Sequence, residues 1–461
     1  MAVATAVPWW RRLTPGHLVL LVPWIGLVVG AASPIRDNSF LWHVRAGTLQ
    51  LDLGHVLRTD PFSFTMQGAP WRTQSWLLEL GYGLLERWTN GLGWVPVMLV
   101  VVGTLTFLLV ALTVHRRARS LFVTGTAMAF FTWLGLAFQV PRPVLVSFLL
   151  LALLVVMVDR GVMWGVPLVL WAWASVHGSW VLGLGYVALE ALASRRSWKP
   201  VVRTLVASLI GVSITAHGLG VWEILGAFFR SRDALRLITE WAVPDILSVP
   251  NLPYALGIVA LLVATARGGI ETRKLWLIVP FLLFGLTSER SLFPAAIVLV
   301  PWTVLAASAR QDLVRLSPRR AEAVVNVVIA VVILVAPFAA FVGVPLGIDS
   351  ATFPIQAARH LTEGRVWSDD QTGGFLIYAY WPEREVFIDD RAELYGAAFM
   401  RELVQTRNGD PVWRDVFEQQ GIDQALARSD SGIGRALDGA GWDKAFEDST
   451  WALWVRSERR D

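Results

Sequence analysis

Residues 36–79 read RDNSFLWHVRAGTLQLDLGHVLRTDPFSFTMQGAPWRTQSWLLE. Apolar segments long enough to enter a bilayer flank this stretch, but its acids, histidines and turn residues make it too polar to span one itself. It reads as the first extramembrane loop of a polytopic chain, where chemistry at a membrane surface would be run. Phe40, Val44, Gly47 and Leu51 recur at helical spacing, and a second helical pattern begins near Ser75 with Leu77, Leu78, Leu84, Leu85 and Trp88. Gly54, Pro61, Gly68 and Pro70 punctuate the chain between them. The pattern predicts two interfacial helices joined by a turn-rich connection. Folded back over the bundle, such a loop would bring Asp37 and Asp60 together.

Working outward, 55% of the 461 residues are hydrophobic and 16% charged, against roughly 25% charged in soluble domains. The template of about 20 apolar residues per crossing predicts about eleven transmembrane helices. Basic residues gather in alternate loops: Arg11 and Arg12, His115 to Arg119, Arg195 to Arg203, Arg267 to Lys274, and Arg310 to Arg320. By the positive-inside rule these loops and the N-terminus are cytoplasmic, which also accounts for the net charge of +4 without a nucleic-acid partner. Trp9 to Arg12 precede the first apolar run, and the Ala-Ala-Ser after it is only weakly cleavage-like, so that run reads as a retained helix. Cysteine is absent, which excludes disulfides, thiolate metal sites and cysteine nucleophiles.

From Asp349 the composition becomes that of a soluble domain. VWSDD, FLIYAYW, EVFIDD, GIDQALA and TWALWVR read as strands, and AELYGAAFMRELVQ and IGRALDGAG as helices. The expected organisation is a polytopic α-helical membrane domain over residues 1–345 and a small extracytoplasmic α/β domain over 346–461. Within the former, the first outer loop covers 34–91 and the second large outer loop 218–250.

The polar residues hardest to explain as anchors fall on the outer side. Asp37 reads either as a helix N-cap or as a general base for an acceptor hydroxyl. Asp60 reads as a turn before proline, or as a second carboxylate that holds the acceptor or, with Asp37, a divalent metal ion. His43, His177 and His217 are structural hydrogen-bonders, proton carriers or ligands, with His177 favoured because it opens a helix. Arg142 and Arg290 stand against the positive-inside bias, and their planar forks suit a donor phosphate; the alternative is pairing with Glu240 or Glu289. Asp389, Asp390, Arg391 and Tyr395 read as a salt-bridged turn.

RDNSFLWHVRAG, TDPFSFT, GAPW and WLLEL, set between a first span and a multi-span core with an outer tail, resemble the GT-C class of integral membrane glycosyltransferases. The likeness is to the architecture of protein O-mannosyltransferases and aminoarabinose transferases, in a bacterial branch. It implies a polyprenyl-phosphate-linked sugar donor and an essential acid in the first outer loop, a role that falls on Asp37. Many members carry two adjacent acids there, whereas this chain has Asp37-Asn38. The resulting expectation is sugar transfer to a glycan, lipid or protein acceptor at the outer face of the cytoplasmic membrane. Asp37, Asp60 and His177 would be catalytic, Arg142 and Arg290 would bind donor phosphate, and His43 and Glu240 would support them. The alternatives are a transporter or lipid-carrier flippase, which the one-sided placement of the polar residues disfavours, and a non-catalytic membrane assembly subunit.

Overall fold

The computed structural model describes residues 8–230, 241–307, 320–344 and 346–457. Numbered in chain order, the helices begin with α1 (Pro15–Ala31), α2 (Asn38–Leu53), α3 (Trp76–Thr89), α4 (Val95–Ala118), α5 (Leu121–Leu136) and α6 (Pro143–Asp159). They continue with α7 (Val166–Val176), α8 (Val181–Ala193), α9 (Trp198–Val212), α10 (Gly220–Arg230), α11 (Leu252–Ala266), α12 (Leu275–Gly285), α13 (Glu289–Thr303) and α14 (Arg320–Val335). The tail adds α15 (Ile355–Ala358), α16 (Asp370–Tyr380), α17 (Ala392–Asn408), α18 (Trp413–Gln420) and α19 (Gly432–Gly439). Its strands are β1 (Arg365–Trp367), β2 (Ile422–Arg428), β3 (Asp443–Glu447) and β4 (Trp451–Val455).

The chain divides into two compact units, each built from separate segments: residues 1–33, 94–215 and 240–346 in one, and 34–93, 216–239 and 347–461 in the other. Residues 34–91, expected as the first outer loop, therefore belong to the same unit as the C-terminal segment.

The first unit is helical. Val95–Ala118, Glu289–Ala306 and Glu322–Phe341 are long and apolar enough to cross a membrane, and shorter apolar helices accompany them. The shorter ones, at 10–17 residues, fall below the ~20 of a full crossing, so the expected count of about eleven is not established by length. Helix α13 is buried from Ser291 to Trp302, as expected of a helix apolar on all sides. Its Phe293 ring lies 4.9 Å from those of Phe131 and Phe148.

In the second unit a four-stranded sheet has the order β1-β2-β4-β3, with β1 parallel to β2 and the other pairs antiparallel. Trp367, Phe387, Phe417, Ile422 and Trp454 form its core, against which Phe64 and Met66 of the first outer loop pack. Both helices expected in that loop are present. Asp37 caps α2, and Gly54 ends it in the left-handed region at φ 70°. Helix α2 is buried from Phe40 to Val44, packed between α3 and α16, whereas α3 leaves Leu84 and Trp88 exposed.

Two tail segments differ from the expected strands. FLIYAYW lies in helix α16, despite its β-forming side chains. Asp369 caps that helix by accepting from Gln371 N, and Gly373 and Gly374 lie so close to the backbones of Ile388 and Asn38 that a Cβ would clash. Burial of Thr372–Ile377 against α2 decides the conformation over intrinsic preference. EVFIDD forms no strand of the sheet; it pairs instead with the first outer loop. Val386 N donates to Phe62 O at 2.9 Å, and Phe64 N donates to Val386 O at 3.1 Å.

Candidate functional site

The second unit holds Asp37, His43, Asp60 and His217; the first holds Arg142, His177 and Arg290. Glu240 lies outside the described residues.

Asp37 is 8% exposed, and its Oδ1 accepts from Phe40 N at 2.8 Å, the N-cap geometry. Asn38 joins α2 to α16: its Nδ2 donates to Asp370 O at 2.8 Å while its Oδ1 accepts from Phe375 N at 3.1 Å. An ionised carboxylate has no donor to make the first of these bonds, so this position needs an amide where the resembling class often has an acid.

Asp60 is buried, and its oxygens accept from Phe62 N, Ser63 N and Ser63 Oγ. Its Oδ1 also meets Arg391 Nη2 at 2.7 Å. That guanidinium is 1% exposed and is shared with Asp389, which it reaches through Nε at 2.7 Å and Nη2 at 2.5 Å. Tyr395 OH donates to the same Asp389 at 2.9 Å, and Trp71 covers the guanidinium at 4.4 Å. The cluster read as a salt-bridged turn is thus a buried hub between the tail and the first outer loop. A donor set of N–H, O–H and guanidinium groups does not fit Asp60 as ligand to a divalent cation. Among the described residues no three histidine, aspartate or glutamate side chains are grouped to hold a metal.

His43 lies on the face of α2 that meets α3. Its Nδ1 is 2.7 Å from Glu79 Oε1, Gln50 Nε2 donates to Glu79 Oε2 at 2.7 Å, and Thr73 Oγ1 also donates to Glu79. His217 Nε2 is 2.6 Å from the Thr73 carbonyl; burial holds its pKa below the ordinary value, against the raising effect of that bond. The neutral ring therefore donates to Thr73. Beside it, Arg72 pairs with Glu223 of α10 at 2.6 Å.

In the first unit, Arg142 is the half-buried N-cap of α6, and Arg290 sits in the first turn of α13 with its guanidinium 5.2 Å from the Trp241 ring. Glu289 accepts from Asn251 Nδ2 at 3.0 and 3.1 Å. His177 opens a short 3-10 turn, with Nδ1 2.8 Å from Ser179 Oγ. An apolar cavity of about 210 Å³ lies elsewhere in this unit, lined by Phe131, Tyr254, Leu261 and Val300 among others and by none of these candidates.

Glu79 and Arg391 were not among the expected site residues. Glu79 had one signal: it is the acid in WLLELGYG, on the helical face that carries Tyr82 and Gly83.

No family model matches the sequence, and no curated protein matches it. Among solved structures, the cryo-EM structure of the arabinofuranosyltransferase AftD from mycobacteria is similar over 98% of this chain, with a TM-score of 0.52 and 14% identity. This chain spans 40% of the length of that protein. At that identity the likeness is one of fold, and it supports a GT-C-like fold for this apolar, mostly helical chain.

Proposed function

We propose that the protein is a membrane glycosyltransferase that moves a sugar from a polyprenyl-phosphate-linked donor to a glycan, lipid or protein acceptor. The reaction runs at the outer face of the cytoplasmic membrane, with the N-terminus inside. The observation that carries this reading is the fold likeness to an arabinofuranosyltransferase over nearly the whole chain. In this reading Asp37 orients the acceptor hydroxyl. Arg142 and Arg290, both at helix N-termini where anions are favoured, hold the donor phosphate and stabilise the charge it gains on leaving. His177 supports that end, and Asp60 acts indirectly by fixing Arg391 and the loop around it.

One observation favours a second reading, the non-catalytic assembly subunit: Asp37 is engaged as a helix cap and Asp60 as a buried ion pair. Asp37→Asn separates the two readings, because asparagine caps helices as well as aspartate does but is not a carboxylate. Cells lacking the protein should accumulate a lipid-linked sugar and lose the matching envelope sugar. The wild-type gene should restore both. A transferase using Asp37 predicts that Asp37→Asn reaches the membrane in normal amount and restores neither; full restoration by Asp37→Asn would favour the assembly subunit.

A further inference from the structure

Helices α2 and α3 meet at two glycines. A Cβ on Gly47 would stand 1.8 Å from Glu79 O, and one on Gly83 would stand 2.6 Å from the Gly47 carbonyl carbon, so the backbones touch. The stripe His43, Gly47, Gln50 runs along the contacting face of α2 at helical spacing. This closeness seals Glu79 at 0% exposure, where its carboxylate is saturated by His43, Gln50 and Thr73. A carboxylate accepts, so His43 donates through Nδ1, and in the neutral ring this leaves the lone pair on Nε2. The described residues make no hydrogen bond to Nε2, and the His43 side chain, 9% exposed, is not sealed as Glu79 is. The ring is fixed from the side as well. It lies tilted against Trp42, ring centres 3.6 Å apart, and the Trp42 indole donates to Asp390 at 2.7 Å.

We propose that His43 is the proton acceptor of the sugar transfer and Glu79 its positioning residue, a dyad carried by the first outer loop. This rests on the transferase reading above. The acceptor oxygen forms its bond to the anomeric carbon as the bond from that carbon to the phosphate oxygen breaks, the electron pair leaving on the phosphate. The hydroxyl proton passes to His43 Nε2. The Glu79 carboxylate stabilises the imidazolium, which afterwards releases the proton to water. Besides Asp390, which accepts from Ser39 and Trp42, Glu79 on α3 and Asp37 at the start of α2 stand around this end of the helix pair. Both act on the buried Tyr82 phenol, whose pKa burial raises first and these two carboxylates raise further. In the transferase reading Asp37 orients the hydroxyl that His43 deprotonates.

The test uses membranes from cells fed ¹⁴C-glucose, following label from the lipid-linked pool into the acceptor fraction. His43→Asn retains an amide donor toward Glu79 but removes the proton-accepting nitrogen. It should slow transfer by about 100-fold or more, the usual worth of general-base catalysis, at unchanged protein level. Glu79→Gln should slow it by at least about 10-fold and up to about 10⁴-fold, through loss of the Nδ1–H tautomer. Equal rates for wild type and His43→Asn would overturn the dyad while leaving the transferase reading intact. Equal label transfer with and without the wild-type protein would overturn the transferase reading, and the dyad with it. Independently of activity, ¹⁵N-histidine NMR of the full-length protein in detergent should show His43 as the Nδ1–H tautomer, converting to a mixture in Glu79→Gln. An Nε2–H tautomer in the wild type would also overturn the proposal.

Discussion

At the scale of single residues, the second unit is organised by buried charges whose partners come from distant parts of the chain. Arg391 serves Asp60 and Asp389 at once, so neither buried carboxylate stands unpaired. Asp370 is placed differently. Burial, with Asp369 and Asp390 beside it, pushes its carboxyl up to about 6, and Arg407 at 3.3 Å only partly opposes this. The folded state therefore holds this proton more tightly than the unfolded chain, whose aspartate titrates near 3.8. The sign follows from linkage: the contribution is fully present below about pH 4 and is lost as pH rises through about 6. Asp370→Asn, which cannot ionise, should raise the melting temperature in detergent at pH 7. The gain corresponds to on the order of 1–3 kcal/mol and should vanish towards pH 4. A difference that stays flat from pH 4 to 7 would exclude Asp370 as its source.

Among the elements, the contact between α2 and α3 sets both stability and the placement of His43. Gly47→Ala puts a methyl group into the Glu79 carbonyl, so the helices must separate. Overpacking of this kind costs typically 1–3 kcal/mol, and more where backbone must move. Gly81→Ala is the control, because nothing lies within 4 Å of its Cβ and alanine favours helix by roughly 1 kcal/mol. Thermal melts should show Gly47→Ala destabilised and Gly81→Ala unchanged or slightly stabilised. Both helices were legible in the sequence because their apolar residues repeat with helical period between turn residues. Legibility failed where the deciding contacts are remote. FLIYAYW has the side chains of a strand, and its burial against α2, with Gly373 and Gly374 seated on Ile388 and Asn38, makes it a helix. EVFIDD does have extended pairing, but with residues 62–65, more than 300 positions earlier, as in the 2.6 Å bond from Thr65 Oγ1 to Phe387 O. The candidate site shows the same division. The capping role of Asp37 can be read locally, whereas the partners of Asp60 and Glu79 cannot, since no local spacing announces Arg391 or Gln50.

For the whole molecule, the grouping of residues 34–93 with 347–461 makes the C-terminal segment a structural partner of the first outer loop. The two are joined where each leaves the apolar region: Ile35 pairs with Ile348 in a parallel bridge, and Arg36 Nε donates to Asp349 at 2.7 Å. Further along, Asn38 binds α16, Trp381 Nε1 donates to Pro61 O at 3.0 Å, and Asp60 binds Arg391. Removing residues 347–461 would strip α2 of one of the helices that bury it and take the Arg391 guanidinium from Asp60. A chain ending at Leu346 should therefore still enter the membrane through its apolar helices but carry an unprotected first outer loop. With that loop outside, as in the proposed function, limited trypsin treatment of right-side-out vesicles should cut the truncated protein rapidly at Arg58 and Arg72. The full-length protein, whose Arg58 is exposed but whose loop backbone is tied at Asp60, Phe62 and Phe64, should resist. Equal resistance in both would mean that the loop folds on α3 and α10 alone, and that the tail is an appended domain. Rapid cleavage of the truncated protein would make the tail a requirement for holding Asp37 and His43 in place.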